Sequence, residues 1–301
     1  MRAPAPARSE ARNIAGFVVV ALIWGSTWLV IKDQISVVPA AWSVTWRFAL
    51  AAAGMALLAT LRGESLRLGN GGTRLALLVG AIQFAFNFQL VYAAEHHITS
   101  GLVAVLFALM LVPNALLGRF VLGNPLGGRF VAGSAVALAG IALLLLHEYR
   151  AAPPGMDVPQ GALLALGAVL SASLGNVLQA GPTARRQPVM ALLAWSMLAG
   201  TLVNAVMAWA LHGPPQLDPR PAYLLGIAYL AIIGSVVTFP LYTALLRDWG
   251  PGKAAYNGVA VPVVAMALST LFEGFRWSGL AIGGALLALA GLLIALSGRK
   301  T

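Results

Sequence analysis

Gly133-Ser-Ala-Val-Ala-Leu-Ala-Gly140 and Gly284-Ala-Leu-Leu-Ala-Leu-Ala-Gly291 are two renderings of one pattern. Each sets small residues at i, i+4 and i+7: Gly133, Ala137 and Gly140 in one copy, Gly284, Ala288 and Gly291 in the other. On a helix these positions make a stripe along one side. The copies stand 151 residues apart in a chain of 301, and other echoes keep the same step. Val112-Pro113 with Leu122-Gly123-Asn124 corresponds to Val261-Pro262 with Leu271-Phe272-Glu273, and Tyr92-Ala-Ala to Tyr242-Thr-Ala. Matches among Ala, Leu and Gly arise easily by chance, so the shared offset of 149 to 151 carries the weight. It reads as a tandem repeat occupying the two halves of the chain.

The solvent of these halves follows from composition. Hydrophobic residues make up 59% of the chain and charged residues 9%, with a mean hydropathy of +0.85. A soluble domain keeps about a quarter of its residues charged, so most of this surface must meet lipid. A bilayer core asks for about 20 apolar residues per spanning helix. Ten runs of about that length occur: 14–31, 40–61, 75–94, 98–118, 130–146, 159–180, 189–211, 223–246, 254–272 and 277–297. They lack the polar stripes of soluble helices. The expected class is an all-α integral membrane protein of ten transmembrane helices. Residues 1–12 read as a short disordered tail rather than a cleaved signal, because the first apolar run is too long and equal runs follow it.

Nineteen Lys and Arg against nine Asp and Glu leave a net charge of +10, which in a soluble protein would suggest nucleic acid. Here the basic residues alternate between loops. With the N-terminus inside, cytoplasmic segments hold fourteen of them and the opposite side only Lys32, Arg150, Arg220 and Arg276, with Arg47 left inside a helix. Cytoplasmic loops collect Lys and Arg, so both termini are expected in the cytoplasm and no nucleic-acid partner is needed. Five is an odd number, so the repeats, 13–147 and 159–298 with an external linker at 148–158, must be inverted relative to each other. Inverted repeats around a midplane site are a recurrent transporter architecture.

Other chemistries find no footing. There is no cysteine, which excludes disulfides and thiolate metal sites. All four Asp (Asp33, Asp157, Asp218, Asp248) lie in loops or at run ends, and Gly252-Lys253 continues into Ala254 rather than a phosphate-binding Ser or Thr. We expect no enzyme, cofactor or metal.

Polar and aromatic faces mark the candidate cavity. Helix three carries Gln83, Asn87, Phe88 and Tyr92, and helix eight carries Thr238 and Tyr242. Helix one groups Trp24 and Thr27, and helix six groups Asn176 and Gln179. Each residue is either interhelical glue, worth about 0.6 kcal/mol per hydrogen bond, or a contact to cargo. Four such faces together favour a wet cavity of amides, hydroxyls and rings. It suits a zwitterion or a neutral molecule with an apolar part, and amino acids, aromatic or other large neutral ones, are the expected cargo. Arg47 lies about 10 Å into its run, serving either as an anchor that snorkels outward or as a substrate-carboxylate or gating contact. Pro113 and Pro262 interrupt corresponding helices and are either hinges or static kinks. Glu95, His96 and His97 read as a hydrated external loop. The small-residue stripes pack either within a monomer, the expected state, or across a dimer.

Trp24-Gly25-Ser26-Thr27-Trp28, Trp46-Arg47-Phe48, Tyr92-Ala-Ala, Pro113 with Leu122-Gly123-Asn124 and Pro262 with Leu271-Phe272-Glu273 resemble motifs of the drug/metabolite transporter superfamily. The similarity is to the type with two EamA domains, which includes bacterial amino-acid exporters. The Leu-Gly-Glu of that family stands here as Leu-Gly-Asn and Leu-Phe-Glu. The resemblance implies ten helices in the inner membrane, a central cavity, and export of amino acids or related metabolites, with drugs or other neutral metabolites as the alternative cargo.

Overall fold

In lipid every backbone N–H and C=O must be satisfied within the protein, which makes an apolar run a helix. The computed structural model describes residues 10–122, 127–152, 154–242, 244, 245, 248 and 256–297. Among the described residues there is no strand. The helices are α1 (Glu10–Gln34), α2 (Ala40–Leu61), α3 (Gly72–Glu95), α4 (Ser100–Leu117) and α5 (Gly128–Ala151). They continue with α6 (Val158–Ala180), α7 (Val189–His212), α8 (Pro221–Tyr242), α9 (Asn257–Phe272) and α10 (Gly279–Ser297). Nine of these, among the described residues, are long and apolar enough to cross a membrane. α9 has 16 residues and follows a segment outside the described residues.

Local sequence sets the helix ends. Asp157 caps α6 by accepting a hydrogen bond from the Gln160 N–H at 3.0 Å, with Pro159 in the first turn, where its missing N–H is no loss. Gly63 stands just past α2 and Gly213 just past α7, with φ of 68° and 74°. Left-handed backbone of this kind favours glycine, and the two lie at matching positions of the repeat. α4 is broken between Ala108 and Leu111. Pro113 has no N–H to offer the Leu109 carbonyl, which accepts from the Val112 N–H at 2.7 Å instead. Pro262, by contrast, sits inside the unbroken α9.

α3 and α8 share a further device. Gly80–Phe86 of α3 and Tyr229–Val237 of α8 are π-helical, a loosened winding that recurs at functional sites. The two segments occupy corresponding places in the two halves.

The small-residue stripes meet each other within the chain. A Cβ built on Gly133 would stand 2.6 Å from the Gly291 carbonyl oxygen, and one on Gly140 would stand 2.6 Å from that of Gly284. Gly133 faces the late part of α10 and Gly140 the early part, so α5 and α10 run antiparallel. Exchanging each residue for its counterpart (Gly133 for Gly284, Ala137 for Ala288, Gly140 for Gly291) returns the same contacts. The other helix pairs obey the same exchange. α2 packs on α7 and α4 on α9, each against its own counterpart, while α3 on α6 mirrors α8 on α1. One core cluster draws mainly on α2, α3, α7 and α8, and a second mainly on α4, α5, α9 and α10, with a few residues added from α1, α3 and α6. Each therefore takes two helices from each half, and α1 and α6 lie in the seams. The outer face carries exposed leucines such as Leu57, Leu163, Leu202, Leu225 and Leu286, as a surface that meets lipid requires.

Candidate functional site

The residues singled out from sequence gather in three places. At the α3–α6 seam, Gln83 is a hub. Its Nε2 donates to Asn176 Oδ1 at 3.4 Å, and its Oε1 accepts from Gln179 Nε2 at 2.5 Å. Asn87 Nδ2 donates to the Gln83 carbonyl at 3.3 Å, leaving the buried Asn87 Oδ1 without a partner. Gly175 of α6 permits this approach, since a Cβ there would stand 2.8 Å from the Gln83 Cβ.

The α1–α8 seam is its counterpart. Trp24 Nε1 donates to the Gly234 carbonyl at 3.2 Å, and its ring lies 5.1 Å from Tyr242 and 5.8 Å from Phe239. The hydroxyls of Ser26 and Tyr229 are hydrogen bonded at 2.7 Å. Thr27 and Thr238 are buried, and each hydroxyl donates to a carbonyl of its own helix, Trp24 and Ile233 respectively. The two seams share one more feature. Ser171 of α6 donates to the Ile82 carbonyl in the π-helical part of α3 at 2.6 Å, as Trp24 of α1 donates to Gly234 in that of α8. In each case the first helix of one half holds a loosened carbonyl in the third helix of the other.

The third place is the meeting of α1, α2 and α3, and it holds charge. Arg47 does not snorkel; it is 4% exposed. Its guanidinium carbon lies 4.5 Å from the centre of the Phe88 ring and 5.1 Å from that of Phe48, a cation–π arrangement. Its Nε and Nη1 have no protein partner. Tyr92 is fully buried and donates to Gln34 Oε1 at 2.8 Å. Glu95 is 0% exposed, with neither carboxylate oxygen partnered.

The placement of Glu95 corrects its sequence reading as part of a hydrated loop. Glu95 is enclosed, and Ile98 in the turn that follows it is buried as well. Lys32 of α1 donates to the backbone carbonyls of Glu95 and Ile98, which ties the loop down. The one sequence signal was the pair Lys32 and Glu95, opposite charges at helix ends expected on the same side. Nearby carboxylates are spent on backbone N–H groups: Glu273 accepts from Ser100 N at 3.3 Å and Glu148 from Thr99 N at 3.0 Å. His96 lies outside the spans, and its pKa is lowered by partial burial and then by Lys32.

Pro113 and Pro262 stand apart from these groups. Pro262 lines a groove of about 480 Å³ between α4, α9 and α10, with Val105, Met266, Trp277 and Leu292, and among the described residues no charged side chain lines it.

Known proteins fit this geometry. A crystal structure 20% identical in sequence superposes with a TM-score of 0.70 over 97% of this chain and 99% of that one, and so shares its fold. The probable amino-acid metabolite efflux pump of Salmonella typhimurium strain LT2 is 28% identical over 94% of both chains. The uncharacterized inner membrane transporter YedA of Escherichia coli K12 is 29% identical over 84% of this chain and 80% of that one. PagO of Salmonella typhimurium is 24% identical over 87% and 85%. The EamA-like transporter family matches twice, over residues 12–146 and again over 159–297. The chain belongs to the EamA-like transporter family: it is a membrane transporter and not an enzyme.

Proposed function

We propose that this transporter exports small metabolites, with amino acids, aromatic or other large neutral ones, as its cargo. It does so by alternating access between two inverted five-helix repeats, 13–147 and 159–298. α9 completes ten spans, and both termini lie on the cytoplasmic side of the inner membrane. One observation carries the reading: the contacts of α5 with α10 survive exchange of the halves. A molecule whose halves are interchangeable has two nearly equivalent arrangements, open to opposite sides. The seams are where these arrangements differ, and there the Gln83 and Trp24 groups lie against π-helical turns. Relatives named as probable amino-acid metabolite efflux pumps support the cargo, and the amides and rings of the seams suit it.

The test is flux. Purified protein in liposomes should take up radiolabelled phenylalanine or another large neutral amino acid faster than empty vesicles, with and without a proton gradient examined in parallel. Uptake equal to that of empty vesicles across the amino acids and related metabolites would sink the proposal.

A further inference from the structure

Among the described residues, Arg47 and Glu95 are the charged side chains buried with polar atoms that no other group satisfies. Their charges are opposite. They come from packed helices, since Arg47 lies over Phe88 of α3 and Glu95 closes the same helix. Phe88 and Glu95 are about 10 Å apart along α3 at the usual helical rise, with Tyr92 between them. No ion pair joins them among the described residues.

Unpaired buried charges are expensive, and a direct pair would relieve both. Here the neighbouring groups that could do so are engaged elsewhere. Lys32 from α1 is held by two backbone carbonyls. Glu273, beyond α9, is held by Ser100. His96 is partly buried, and its pKa is lowered by that burial and then by Lys32. What is left is a guanidinium whose Nε and Nη1 are unpartnered and a carboxylate with both oxygens unpartnered. The fork of Arg47 is held against two phenyl rings, so little rotamer freedom remains to be lost on binding.

A carboxylate is the natural ligand of the first and an ammonium that of the second. One small molecule supplies both. With a hydrogen bond of about 2.8 Å at each end, an α-amino-acid headgroup can bridge two charges that do not pair directly. The geometry points to a bipolar headgroup site in which Arg47 takes the carboxylate and Glu95 the ammonium of a zwitterionic cargo. Gln34, whose Nε2 is also buried without a partner, is positioned by Tyr92 as a further donor. The site rests on the transport reading and sharpens it: cargo is selected by having both charges, whatever its side chain.

The experiment is competition in proteoliposomes loaded with the full-length protein. Radiolabelled phenylalanine is the probe, with phenethylamine (no carboxylate) and phenylpropionate (no ammonium) as competitors. In the unsubstituted protein each truncated analogue should compete about a hundredfold less well than phenylalanine, because each leaves one buried charge unpaired. Glu95→Gln should raise phenylpropionate relative to phenylalanine, and Arg47→Gln should raise phenethylamine. Size-exclusion profiles and helical circular dichroism establish that each variant is folded.

If either analogue competes within about threefold of phenylalanine in the unsubstituted protein, the site is wrong without recourse to any variant. Folded variants that keep the original preference overturn it too. Loss of gradient-driven flux in Glu95→Gln with the preference intact assigns that carboxylate to protons, and also overturns it. In all of these the protein still moves phenylalanine and the transport reading stands. A protein that moves no amino acid defeats both.

Discussion

Gly140→Leu is expected to remove the protein from the folded, monodisperse fraction of a detergent extract. The Cβ it adds would meet backbone: 2.6 Å to the Gly284 carbonyl oxygen and 2.8 Å to the Ala288 Cα. No side chain can swing aside to make room. α5 and α10 must separate along the whole stripe, which loses one of the contacts that join the two halves. Overpacking of a tight core costs about 1–3 kcal/mol where side chains can adjust, and backbone against backbone lies at or above that range. Gly283→Leu is the control. It sits on α10 one residue from Gly284, and a Cβ there meets nothing within 4 Å. It should elute like the unsubstituted protein in size-exclusion chromatography. Equal behaviour of the two variants would contradict the packing.

Gln83→Leu is expected to lower flux at least about tenfold, or ~1.4 kcal/mol in the transport barrier, in protein that remains folded. The change strands the Asn176 carbonyl and leaves the Gln179 amide only its 3.4 Å bond to the Gly175 carbonyl. It does so at a seam between a helix of the first half and one of the second. Interhelical hydrogen bonds in membranes are individually weak, so the fold should survive. What changes is the balance between arrangements that make and break this seam. Phe86→Ala on the same helix removes a side chain that is 51% exposed and should leave flux near its original value. The measurement is initial uptake rate per folded protein in liposomes. Full flux in Gln83→Leu would remove the α3–α6 seam from the transport path.

Much of the fold could be read from the chain because lipid simplifies the problem. The run 75–94 becomes Gly72–Glu95 and the run 189–211 becomes Val189–His212, since hydropathy and backbone satisfaction act along one dimension. The stripes at Gly133 and Gly284 were equally plain. Their partner was not, because the same spacing serves a dimer and an intrachain pair, and only the folded chain sets α5 against α10. The π-helical turns at Gly80–Phe86 and Tyr229–Val237 leave no mark in composition.

The site was legible in kind more than in arrangement. Gln83, Asn176 and Gln179 showed as polar residues on apolar helices, but which seam each faces depends on contacts between distant segments. Glu95 lay one residue past its apolar run, and its burial shows only in the folded chain. Of the tail that sequence assigns to residues 1–12, residues 1–9 lie outside the described residues, while 10–12 are the first turn of α1 rather than disordered.

Everything proposed for transport turns on the halves being inverted in the membrane. Arg62 and His212 occupy equivalent positions, 150 residues apart, at the ends of α2 and α7, and both are exposed. The chain has no cysteine, so single replacements Arg62→Cys and His212→Cys can be read without background. A membrane-impermeant maleimide applied to intact cells should label His212→Cys and spare Arg62→Cys until the membrane is opened. Labelling of both from the same side would contradict the inversion, and with it the alternating-access mechanism.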